Sequence, residues 1–212
     1  MSMARRVGGS FALAVALVMS VQSSALAAVV NVEIGGPAPG FTPATAKPKQ
    51  GDSVLWTNAD DIAHTTTSNG CPSSGEPGVG LWCSPSMGQN ATYSFIFRAA
   101  AKYPYVCIFH ASMKGTVQVN MKASPMSGGT GTTFTIVWAK ASIPNGFNAD
   151  VQIKRPGDAS FSNWMLNQVN TMVSESFTPD QGVGTYQFRS RLQNDASGGA
   201  SNYSKPVSIQ VS

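Results

Sequence analysis

Seven residues near the middle of the chain carry three side chains with an affinity for soft metals: Cys107, His110 and Met113, spaced Cys-x2-His-x2-Met. The 212 residues contain one other histidine, His64, far upstream. Three donors from one tight loop can converge on a single ion, but the fourth must arrive from elsewhere in the chain. A closed β-barrel provides that, because it sets distant strands side by side.

The remaining sequence is compatible with such a fold. Val29 to Ile34 is a short apolar strand, and Asp52 to Asn58 is rich in β-formers. Thr92 to Phe97 alternates polar with aromatic or aliphatic residues, and Tyr103 to Phe109 and Thr116 to Val119 are again strand-like. No long segment with a 3.6-residue period appears after the N-terminal region. Residues 123–132 are rich in Gly, Ser and Pro and read as a linker. A second β pattern follows, with Phe134, Ile136 and Trp138 on one face, then Val151 and Ile153, then Tyr186, Phe188, Ser190 and Leu192, and finally Val207, Ile209 and Val211. The expected class is therefore all-β in two units.

The first 27 residues read as a cleaved signal peptide: Arg5 and Arg6, an apolar run from Phe11 to Met19, and the small-x-small site Ala25-Leu26-Ala27. Its removal takes two of the 14 Lys and Arg residues and none of the 10 Asp and Glu, leaving +2. That near-neutral balance gives no reason to expect nucleic acid as a partner, and no other segment is long and apolar enough to span a membrane. An extracytoplasmic location (secreted, periplasmic or cell-surface) permits disulfides. Of the three cysteines, Cys71 and Cys83 bracket a Pro/Gly/Ser-rich loop and are expected to pair. Cys107 is left over, and an unpaired thiol outside the cytosol calls for an explanation.

Two imidazoles, a thiolate and a weak thioether form the donor set suited to copper electron transfer. Cu(I) favours sulfur and Cu(II) accepts nitrogen, so a trigonal His2Cys plane with a distant Met serves both states with little rearrangement. Competing readings are weaker. Cys and Met are often plain core residues. Zinc rarely takes Met. A Cys107–His110 nucleophilic pair would lack an evident orienting Asp or Asn.

At this point the sequence resembles a known family. Gly51-Asp52-Ser53-Val54-Leu55-Trp56-Thr57-Asn58 followed by His64-Thr65 resembles the first half of the plastocyanin/azurin signature. Phe97, Tyr103-Pro104-Tyr105-Val106-Cys107, His110, Met113 and Gly115-Thr116-Val117-Gln118-Val119 resemble the second, with a short loop of the amicyanin type. The resemblance implies a cupredoxin Greek-key β-barrel over residues 28–122 holding one type 1 copper ion. His64, Cys107 and His110 would be strong ligands and Met113 the weak axial one. His110 would be the exposed edge through which electrons pass to a redox partner, rimmed by Phe109, Ala111 and Met87. Where many relatives have Pro beside the second His, this chain has Phe109 and Ala111, and the Phe109 amide is expected to donate to the Cys107 sulfur. Where many have Asn after the first His, Thr65 is expected to take that role. Two histidines are too few for a multicopper oxidase or a copper nitrite reductase, and Ala111 stands where a binuclear centre would need a second Cys.

Residues 133–212 resemble a fibronectin type III domain, an immunoglobulin-like β-sandwich, with Trp138 as core tryptophan and Tyr186 as corner tyrosine. Nothing in them looks catalytic. Trp164 is expected to pack on the sandwich rather than contact a polysaccharide, and the unit reads as a spacer or an adhesion module for protein or polysaccharide. The combined expectation is a non-enzymatic, exported one-electron carrier. The alternatives are a copper-binding or delivery protein without a redox partner, and a surface adhesion module.

Overall fold

A computed structural model describes residues 27–35 and 40–212; the expected signal peptide, up to Leu26, lies outside them. The described residues are all-β, and no helix among them is long and apolar enough to cross a membrane.

The first half holds eight strands: β1 (Val29–Ile34), β2 (Phe41–Thr42), β3 (Thr45–Ala46), β4 (Ser53–Asn58), β5 (Thr67–Ser68), β6 (Thr92–Ile96), β7 (Ala101–Cys107) and β8 (His110–Val119). They form two four-stranded sheets, ordered β2-β1-β4-β6 and β3-β8-β7-β5. Strand alternation sends Val54 and Trp56 inward from β4, and Tyr103, Tyr105 and Cys107 inward from β7. The sheets meet through these rings: the Trp56 indole N–H donates to the Tyr105 hydroxyl at 3.1 Å, and Trp82 stacks on Trp56. Both rings of that bond are fully buried, and burying a large apolar side chain contributes about 1.5–3 kcal/mol.

The second half holds β9 (Lys122–Ser124), β10 (Ser127–Gly128), β11 (Phe134–Val137), β12 (Phe147–Lys154), β13 (Ser162–Gln168), β14 (Ser174–Phe177), β15 (Gly184–Asn194) and β16 (Val207–Val211). These form a three-stranded sheet, β14-β11-β9, and a five-stranded one, β10-β16-β15-β12-β13. Trp138 is buried, and Trp164 packs edge-on against it and against Phe177. The Tyr186 hydroxyl accepts from the Gln181 amide and donates to the Gly182 carbonyl, turning the chain back before β15.

Two expectations need correction. Residues 123–132 are not a free linker: β9 pairs with β11 and β10 with β16. Their Gly and Ser content hides strand pairing that depends on backbone groups alone. The Cys107–Met113 run is also not a loop. Cys107 pairs with His110 across a two-residue turn, Ile108-Phe109, so His110 opens β8 and Met113 lies within it.

Candidate metal centre

Cys107 ends β7 and His110 begins β8, so the turn between them presents both side chains at one end of the sheet. His64 arrives from the segment after β4. Its backbone pairs with Met87 on one side (His64 N to Met87 O 3.0 Å, Met87 N to His64 O 2.8 Å). Beyond it, β5 pairs with β7, Thr67 opposite Val106. That register sets Thr65 beside Ile108, and the Ile108 amide donates to the Thr65 hydroxyl at 3.0 Å.

The result is a tight cluster. The Cys107 sulfur lies 3.6 Å from Nδ1 of His64 and 3.5 Å from Nδ1 of His110. All three donor atoms fall within 4.8 Å of one another, and the imidazole rings are 4.7 Å apart between centroids. Cys107 and His64 are buried and His110 is partly exposed. Met113 is buried in the same core as Cys107. Cys107 is the free cysteine; Cys71 and Cys83 form a disulfide.

The hydrogen bonds around the cluster fix its chemistry. Nε2 of His64 lies 3.3 Å from Asp60 Oδ2, and the tautomer that donates there from Nε2–H turns the Nδ1 lone pair toward the sulfur. The imidazole in turn holds the Asp60 carboxyl below the usual carboxylate range. Asn58, fully buried, anchors the loop bearing Asp60: its amide donates to the carbonyls of Ile62 and Met87, and its oxygen accepts from the Asp60 N–H. The amide donor to the Cys107 sulfur is Thr65, at 3.4 Å, and not Phe109. The reason is register: Thr65 lies on the strand alongside, whereas Phe109 occupies the exposed turn. Met87 is likewise not part of a surface rim, because it is 1% exposed. The apolar side chains exposed near the centre are Ile62, Ile108 and Phe109.

Sequence reasoning missed Asp60 and Asn58. A carboxylate four residues before a candidate ligand histidine was the available signal, since ligating imidazoles commonly donate their second N–H to a carboxylate.

A metal ion fits this donor set. Two imidazole nitrogens and a sulfur share one small space, and a thiol has a single hydrogen to offer. With metal–donor bonds of about 2.0–2.3 Å, nitrogen and sulfur on one ion stand roughly 3.6–3.8 Å apart at angles between tetrahedral and trigonal. The observed separations are close to that. Soft sulfur with imidazole selects copper over the hard cations.

The chain matches no family model. It is 35% identical over 71 residues to amicyanin-alpha from Methylorubrum extorquens, an alignment covering 34% of this chain and 56% of that protein; the chain thus spans little more than half of the relative's length. Among solved structures it is similar to a purple cupredoxin from Nitrosopumilus maritimus, with 25% identity, 43% of this chain and 99% of that one covered, and a TM-score of 0.38. It is also similar to a Cu(I) form of an amicyanin variant, with 25% identity, 43% and 82% covered, and a TM-score of 0.37. The similarity to amicyanin supports a cupredoxin domain in this chain, and the His–Cys–His cluster fits a copper site.

Proposed function

We propose that this chain is an exported, mononuclear type 1 copper protein that carries one electron at a time and has no substrate turnover of its own. In this reading residues 28–122 form a Greek-key cupredoxin barrel. Residues 133–212 form a fibronectin type III-like sandwich whose sheets take in the segment before it. The observation that carries the proposal is the convergence of the Cys107 sulfur with Nδ1 of His64 and of His110, from two separate segments.

A bound copper ion would supply the Cu(II)/Cu(I) couple. The chain's part is to hold its donors still and dry. Cys107 and His64 are nearly excluded from solvent. The β7–β8 ladder fixes Cys107 against His110, and Asp60 fixes the orientation of His64. The Thr65 amide on the sulfur stabilises thiolate charge, which favours the reduced state. Met113 stands as the weak fourth donor. His110, partly exposed between Phe109 and the β8 surface, is the edge a redox partner would face.

The test is optical and electrochemical. Adding one equivalent of Cu(II) should produce an intense thiolate-to-copper absorption band, abolished in Cys107→Ser, with a reversible one-electron wave in cyclic voltammetry. A colourless Cu(II) protein would refute the proposal. A coloured protein that passes its copper to an acceptor and shows no reversible wave would point to copper delivery.

A further inference from the structure

Residues 64–87 form an irregular hairpin of which the copper site uses one end. His64 pairs with Met87 at that end, the Ser84 amide donates to the Thr66 carbonyl at 3.1 Å, and the Ser68 amide donates to the Trp82 carbonyl at 2.8 Å. The Trp82 indole N–H donates to the Thr66 hydroxyl. Beyond Ser68 the chain makes a long excursion, closed by Cys71–Cys83. One edge of the segment 64–68 faces β7 and Cys107; along the other its backbone bonds to residues 82–87.

The far end of the excursion rests on the C-terminal half. The Asn194 side-chain amide donates to the Val79 carbonyl at 3.2 Å, and Val79 is 1% exposed. The backbones of Gly78 and Gly199 come so close that a Cβ on Gly199 would overlap the Gly78 carbonyl oxygen. A contact this close to the loop tip serves no donor atom, and 79 and 194 are distant in sequence. The disulfide closes the base of the excursion, joining Cys71 to Cys83, four residues beyond the docked Val79; Cys83 bridges Thr67, in the segment that also bears His64 and Thr65.

We propose that the disulfide-closed loop is a positioning brace, transmitting the hold of Asn194 and Gly199 in the C-terminal half to the strand that sets His64 and Thr65 against Cys107. A short hairpin is marginal when isolated, and segments with few anchors open first. Tying the loop at its base through the disulfide and at its tip to the second half removes that freedom. The inference deepens the copper reading, and only its optical arm rests on it.

Backbone amide exchange on the metal-free full chain gives the test. In Gly199→Ala and in Cys71→Ser/Cys83→Ser, exchange across 64–68 should quicken by about three- to tenfold, as expected for the loss of anchoring worth one hydrogen bond or more. Exchange in β6, residues 92–96, should stay unchanged. After Cu(II) loading the thiolate-to-copper band should shift, and EDTA should remove the metal several-fold faster; Asn194→Ala should show the same trend more weakly. A purely structural role would lower Tm while leaving the band in place. Unchanged exchange at 64–68 in both variants, or equal acceleration in 92–96, overturns the brace. If the unmodified chain develops no band, the copper reading fails, and the exchange data still decide the brace.

Discussion

Thr65 shows how one residue can serve the centre through both backbone and side chain. Its amide donates to the Cys107 sulfur, and its hydroxyl oxygen accepts from the Ile108 amide and from the Thr67 hydroxyl at 3.1 Å. Thr65→Val keeps the amide on the sulfur but leaves the Ile108 N–H unpaired beside the cluster. Denaturant unfolding of the metal-free protein should show a loss of about 1–3 kcal/mol, while the absorption band, once copper is added, should persist. Unchanged stability would mean that water satisfies the Ile108 amide. The donor types were legible in the sequence because so few residues can play them: two histidines, one unpaired thiol and a methionine at fixed spacing. The groups that aim them were not legible. Which amide reaches the sulfur depends on which edge of the 64–68 strand meets β7. The pairing of Asp60 with His64 depends on a loop folded back by the buried Asn58.

Among the elements, the strands rich in β-formers or with side-chain alternation were visible in sequence, at least in part: β1, β4, β6, β7, β11, β12, β15 and β16. The shortest and most polar were not. β5 and β10 are two residues long and consist of Thr, Ser and Gly, so their place in a sheet follows from backbone pairing alone. β8 was visible only from Thr116 onward, although it begins six residues earlier at His110, because Ala111, Ser112 and Lys114 break the apolar rhythm. Within β8, Gly115 stands opposite Tyr105, and a Cβ there would overlap the tyrosine ring. Gly115→Ala must therefore move Tyr105 and break its bond with Trp56. Overpacking of this kind costs about 1–3 kcal/mol, to be read as a lower Tm. Because Tyr105 precedes Cys107 by two residues on the same face, the copper band should also broaden. A variant with unchanged Tm would show that the ring has room to shift.

At the scale of the whole molecule, the two halves meet along a polar and apolar seam. Ala99 bridges Ala139 and Lys102 bridges Asn202, so backbone pairing crosses between the halves. The buried Gln50 side chain donates to the carbonyls of Asn120 and Val137, and the buried Ser190 hydroxyl donates to the Ala100 carbonyl at 2.6 Å. One hydrophobic cluster runs from Val32 to Val211. Separating the halves would expose these groups together, so neither half can open cheaply while the other stays folded. Calorimetry of the metal-free full chain should therefore show one transition, with calorimetric and van't Hoff enthalpies in agreement. Ser190→Ala removes a bond across the seam worth about 1 kcal/mol, which for a chain of this size lowers Tm by about 2–4 °C. That shift should appear equally in the fluorescence of the buried tryptophans of the first half and in far-ultraviolet signals from both. Two resolved transitions, with only the C-terminal one moved by the substitution, would show that the halves fold as separate units and that the seam is only a contact between them.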